Sequence, residues 1–158
     1  MQPVAVANKH INHMEDSMVD IIDIETAFDN TFTRQFGFPK ERPATKIKGY
    51  LMDNVKDFIR QSPFMVMATS SADGSCDASP KGGKPGFVKV LDDSTILIPD
   101  VAGNRLFQSY INMAENPQVG LVFFIPGVRE TVRLNGRVKI VNKDEPKAKS
   151  LRAQAFYQ

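Results

Sequence analysis

One cysteine, Cys76, occurs in the whole chain, and the two histidines, His10 and His13, both fall in its first stretch. A single thiol excludes an intrachain disulfide and any cysteine-rich zinc or iron–sulfur site. With no imidazole beyond Met14, a Ser-His-Asp or Cys-His nucleophile system in the core of the fold is not expected. His10 and His13 lack the carboxylate and cysteine partners of a metal site and read as a solvated tail, so no metal is expected. Long apolar runs are lacking too. The longest, residues 119–125, falls far short of the roughly 18 to 20 residues of a membrane-spanning helix, and no basic-then-apolar leader opens the chain. The formal charge is only +2, too small to argue for nucleic acid as a partner. No repeat and no Walker spacing is present, so nucleotide hydrolysis is not implied. These absences predict a soluble, cytoplasmic protein whose chemistry, if it is an enzyme, is carried by a bound cofactor.

What is present fits one domain. The 158 residues, with 42% hydrophobic and 24% charged, lie within the globular norm and leave no room for a second full core. Residues 1–43 read as a peripheral N-terminal arm, in which apolar spacing from Met18 to Phe28 permits a short helix before Gly37, Pro39 and Pro43 break the pattern. Ile47, Tyr50, Leu51, Val55, Phe58 and Ile59 recur at helical intervals, which predicts an amphipathic helix over 45–61 closed by Pro63. A β rhythm follows. Strands are expected at 64–70, 76–79, 87–91 and 95–99, with turns at Ala72-Asp73-Gly74 and Asp92-Asp93-Ser94. Gly103-Asn104 opens a helix whose apolar positions Leu106, Phe107, Tyr110, Ile111 and Ala114 share one face, and Asn116-Pro117 ends it. The run 119–125 suits a strand buried on both faces. Residues 129–141 alternate as one long strand, with Asn135-Gly136 marking either a hairpin or a bulge. A last helix is expected over 144–156. Short antiparallel strands with helices outside them describe an α+β fold, a six-stranded barrel spanning residues 44–158.

Two clusters could carry chemistry. Ser79-Pro80-Lys81-Gly82, with Lys84 and Gly86, reads as a glycine-rich, lysine-bearing loop: glycines let a backbone approach a ligand and lysines supply charge for a phosphate, while an ordinary solvated loop is the plain alternative. Asp100 to Arg105 places a cation in the first turn of a helix, where the macrodipole is already positive. A bound anion held by Asn104, Arg105 and free N–H groups resolves that conflict, and so does an exposed Arg105 paired with Asp100. Cys76, Met65, Met67, Phe123 and Phe124 read as core.

The order and spacing of several pieces resemble one family. They are Ser62-Pro63-Phe64, Ala68-Thr69 with Ala72-Asp73-Gly74, Asp77-Ala78-Ser79-Pro80-Lys81-Gly82, Pro85-Gly86-Phe87-Val88, Leu97-Ile98-Pro99-Asp100, Gly103-Asn104-Arg105, Asn116-Pro117 with Val119-Gly120-Leu121, and Pro126-Gly127 with Glu130-Thr131-Val132-Arg133 and Asn135-Gly136-Arg137. Over about half of the chain this pattern is similar to the pyridoxamine 5'-phosphate oxidase-like family of FMN-binding split barrels. The resemblance implies a six-stranded antiparallel split barrel, a homodimer, FMN as cofactor, and flavin-dependent oxidoreductase activity on a small molecule. A flavin- or haem-binding carrier or sensor without turnover is the alternative. By the resemblance, Phe87, Val88 and Lys89 would run along the isoalloxazine, and Pro99 and Asp100 would sit where the ring gives way to the ribityl chain. Asn104 and Arg105 would hold the 5'-phosphate with Ser79 and Lys81 nearby, and Thr131 and Arg133 would reach the flavin from the second subunit. Thr131 stands where better-known oxidases carry glutamine. The family also favours one long strand through Asn135-Gly136. Related chains continue past residues 147–157 into a further strand and a basic tail, so the resemblance implies a barrel cut short at Gln158. The tail residues that recognise pyridoxamine phosphate have no counterpart, and that substrate is not implied.

Overall fold

A computed structural model describes residues 3–7, 28–40, 48–99, 106–142 and 144–156. The chain divides into two compact units, residues 11–49 and residues 1–10 with 50–158. In the smaller unit, helix α1 (Thr31–Phe36) starts at Asn30, whose side chain accepts from the backbone N–H groups of Phe32 and Thr33 while the Thr33 hydroxyl accepts from the Asn30 N–H. This reciprocal cap satisfies N–H groups that the first helical turn cannot pair internally. The short helix expected between Met18 and Phe28 lies almost wholly outside the described residues.

The larger unit is an α+β fold, one antiparallel sheet with a few helices. Its strands are β1 (Pro3–Ala7), β2 (Phe64–Ser70), β3 (Cys76–Gly82), β4 (Lys89–Val90), β5 (Thr95–Pro99), β6 (Gln118–Phe124) and β7 (Val132–Ile140), in the order β3-β2-β6-β7-β1-β5-β4. Three helices accompany them: α2 (Asp53–Gln61), α3 (Gln108–Glu115) and α4 (Ala148–Phe156). None is long and apolar enough to cross a membrane.

Among the described residues the sheet has seven strands, where the sequence predicts six. The seventh is β1, read from sequence as part of the arm; it sits inside the sheet, pairing with β5 on one side and β7 on the other. Five residues of mostly valine and alanine carry little pattern of their own, and their partners lie 88 to 96 positions away on β5 and 130 to 136 on β7. β7 is continuous, as expected. Asn135 pairs with Gly120 and Gly136 with Val119 in one-to-one register, so no bulge interrupts it.

The core lies on one face of the sheet. Met65 and Met67 from β2, Val119, Leu121 and Phe123 from β6, Val138 from β7, and Ile96 and Ile98 from β5 pack with Leu51, Ile59, Val88 and Met113. Alternation along each strand requires this, because residues two apart share a face. Helix α2 contributes Ile59 and is tied down by Lys56, whose ammonium meets Asp93 at 2.6 Å and Asp53 at 3.0 Å. It begins at Asp53, later than expected, and Tyr50 is exposed. Ser62, fully buried at its end, donates to the carbonyls of Phe64 and Phe124 and so joins helix, β2 and β6.

Candidate functional site

Strand β3 is an edge strand, and its sequence alternates in polarity. Asp77, Ser79 and Lys81 share its half-buried face; Cys76, Ala78, Pro80 and Gly82 share the exposed one. Cys76 is therefore exposed and not a core residue. Pro80 is tolerated because an edge strand has a side that needs no ladder donor. Opposite Asp77, Ser79 and Lys81 on β2 stand Thr69, Met67 and Met65, followed on β6 by Val119, Leu121 and Phe123. The three polar residues thus form the margin of the face that carries the core. Lys81 Nζ lies 3.4 Å from Ser79 Oγ, and among the described residues no carboxylate comes within ion-pair distance of it. An ammonium and a hydroxyl side by side, half-covered by protein, suit an anion with several acceptor oxygens.

Lys81 lies on a strand, not on the loop predicted from its glycines. That loop, residues 83–88, is tied to the start of β2 and across itself. The Gly83 N–H donates to the Pro63 carbonyl at 3.0 Å and the Phe87 N–H to the Lys84 carbonyl at 3.0 Å. A Cβ on Gly83 would meet Phe87 Cβ at 2.9 Å, so this glycine permits close packing of the loop on the Phe87 ring. Gly86 has φ +78°, which only glycine adopts without strain.

Helix α3 covers this margin, and it does so with polar groups. Its buried residues are Ser109, Asn112 and Met113, while Leu106, Phe107 and Ile111 are exposed. Of the apolar face expected from the sequence, Leu106, Phe107, Ile111 and Ala114 are exposed, and only Tyr110 packs against the core. Ser109 Oγ donates to Asp77 Oδ2 at 2.7 Å, Asn112 Nδ2 to Thr69 Oγ1 at 3.1 Å, and Asn116 Nδ2 to Ser70 Oγ at 3.0 Å. Gln108 Nε2 donates to Asn112 Oδ1 at 3.0 Å, completing the amide. Polar side chains at β2 and β3 leave the helix hydrogen bonds to make, and burial without them would be costly.

The structure brings Ser79 and Lys81 together on β3 and places the other expected residues it describes on other elements. Phe87 packs partly buried against the core, Val88 is buried in it, and Lys89 pairs with Leu97 in β4, which is shorter than the expected strand 87–91. Pro99 is buried at the end of β5, opposite Pro3. Thr131 is exposed just before β7, and Arg133 is exposed on it. Asp100, Asn104 and Arg105 lie outside the described residues. The sequence reading missed Asp77 and Ser109 as a pair. The alternation Asp77-Ser79-Lys81 and the helical spacing of Ser109, Asn112 and Asn116 are the signals that mark them. Among the described residues no group of three His, Cys, Asp or Glu side chains could hold a metal ion.

The fold is an antiparallel α+β sheet with a lysine and a serine side by side on its edge strand, and sequence comparison gives it a family. The profile described as pyridoxamine 5'-phosphate oxidase matches residues 51–158, and the chain belongs to that family. No curated protein matches the chain significantly in sequence. Among solved structures, a tagged histidine-to-alanine variant of HupZ from Group A Streptococcus is similar in fold. Its TM-score is 0.52 at 20% identity, over 67% of this chain and 84% of that one.

Proposed function

We propose that the chain is an FMN-dependent oxidoreductase of the pyridoxamine 5'-phosphate oxidase family, a homodimeric split barrel that exchanges hydride between the flavin and a small molecule. The observation that carries the reading is the Ser79–Lys81 pair on the half-buried face of β3, within the segment that matches the family. Its donors fit the 5'-phosphate of FMN, with Asn104 and Arg105 expected to join them. Phe87, Val88, Lys89, Pro99 and Asp100 are the proposed neighbours of the ring and ribityl chain. When bound, FMN supplies the redox chemistry, and the protein's residues hold the phosphate, orient the ring and exclude water.

Dimerisation is part of this reading. The outer face of β3, β2 and β6 carries Ala78, Pro80, Phe64, Val66, Val122 and Phe124, with Phe64 39% exposed and its ring 5.9 Å from that of Phe124. Beside it on β7 stand Arg133 and Arg137, exposed and without an ion pair among the described residues. A contiguous apolar face rimmed by arginine is the composition of a protein interface, and a second copy would bring Thr131 and Arg133 to the site.

The test is spectroscopic. The purified protein is titrated with FMN, then reduced with NADH or NADPH and exposed to oxygen. Tight FMN binding with reoxidation on turnover supports the reading. Flavin or haem held without turnover supports the carrier alternative, and no flavin binding overturns both flavin readings.

A further inference from the structure

Asp77 is out of place by charge. It sits one pleat from Ser79, about 7 Å along the strand, and a carboxylate there opposes an anion at Ser79 and Lys81 by roughly two- to threefold in a water-like medium. The structure gives it another task. Its Oδ2 accepts the Ser109 hydroxyl at 2.7 Å, which ties the first turn of α3 to β3. As an edge strand, β3 is paired only with β2 among the described residues. Its Ser79–Lys81 segment is thus fixed by the ladder on one side and by this bond across the sheet face. The helix above is held a second time by Asn112, 1% exposed, which donates to Thr69 on β2, while Gln108 of the same helix completes its amide. Directional bonds fix a register that apolar packing would leave adjustable.

We propose that Asp77 and Ser109 are positioning residues: their bond seats α3 on β3 so that the Ser79 hydroxyl and the Lys81 ammonium are pre-aimed at the anionic group of the ligand. The inference rests on the FMN reading above. It separates the carboxylate's charge, which weakens anion binding, from its acceptor oxygen, which organises the site.

The experiment measures dissociation constants for FMN and riboflavin, by flavin fluorescence, and apo melting temperatures, on the full chain and four variants. Asp77→Asn keeps an acceptor for Ser109 and removes the charge, so FMN should bind about two- to threefold tighter with riboflavin unchanged. Ser109→Ala loses the bond and keeps the charge, so FMN should weaken about tenfold, the order of one displaced charged hydrogen bond; Asp77→Ala loses bond and charge together, so the loss should be smaller, about three- to fivefold, with riboflavin little affected in both. The double alanine variant should be no worse than either single one, because the two residues act as one unit. If Asp77→Asn and Asp77→Ala move the FMN constant in the same direction, or if riboflavin weakens as much as FMN, the inference is overturned. A wild-type protein that binds FMN no better than riboflavin overturns the underlying reading, and this inference with it. If Asp77→Ala does not fold, Asp77→Asn and Ser109→Ala still decide the matter.

Discussion

Lys81 and Arg133 stand on opposite faces of one sheet, three strands apart. Lys81 is level with Met65, Phe123 and Val132 along the ladder, and Arg133, the residue after Val132, points to the other side with Val122, Val66 and Pro80. Strands about 4.8 Å apart put roughly 14 Å of sheet between the two positions. On the proposed reading, Lys81 and Arg133 therefore serve one site from two copies of the chain. Assembly and ligand binding are therefore expected to be coupled.

That coupling can be checked at Phe64. Its ring is partly exposed at one end of the outer apolar face, against Phe124, so Phe64→Glu should cost the isolated fold about 1 to 2 kcal/mol. A carboxylate buried in the interface, by contrast, should abolish dimerisation. Sedimentation of the wild type as a dimer and of the variant as a folded monomer with weakened FMN binding is expected. A variant that remains dimeric would assign the interface elsewhere.

Removing the ammonium should act on the phosphate. Lys81→Ala is expected to lose about 1.5 to 3 kcal/mol of FMN affinity and to leave riboflavin affinity almost unchanged. Calorimetric titration with both flavins measures the difference. Equal losses for the two would remove Lys81 from the anion site.

β1 holds the sheet together. It alone joins β7 to β5 among the described ladders, which otherwise fall into the sets β3-β2-β6-β7 and β5-β4. Ala5 pairs with Leu97 and Lys139, so proline there removes a donor inside the sheet. Ala5→Pro should release amide protection in β5 and β7 while β2 and β6 remain protected. Hydrogen exchange read by mass spectrometry would show it, and unchanged protection in β5 would contradict the bridging role.

The Lys56 contacts give a pH dependence of known sign. Hydrogen bonds to Asp93 first and Asp53 second hold the Lys56 pKa above its ordinary value. A raised pKa in the fold means that the contribution is complete below the unfolded value, about 10.4, and is lost as pH rises through the folded one. The melting-temperature difference between wild type and Lys56→Met should therefore be constant near neutrality and shrink only in strongly alkaline buffer.

The sequence by itself determined most of the elements and the family. The alternation of β2, the apolar run of β6 and the break at Pro63 are local patterns, set by strand and helix periodicity, and the ordered motifs from Ser62 to Arg137 point to the pyridoxamine 5'-phosphate oxidase family without a structure. The tertiary structure decided what depends on distant neighbours. β1 became a central strand because β5 and β7, remote in sequence, offer it two open ladders. Helix α3 turned Leu106, Phe107 and Ile111 outward, keeping Met113 in the core, because Asp77, Thr69 and Ser70 wait beneath it with hydrogen-bonding groups. Lys81 left its predicted loop because β2 extends the ladder to Gly82. Periodicity shows that a face exists; only the surface it meets decides whether that face is buried, since burial depends on what the partner can pair.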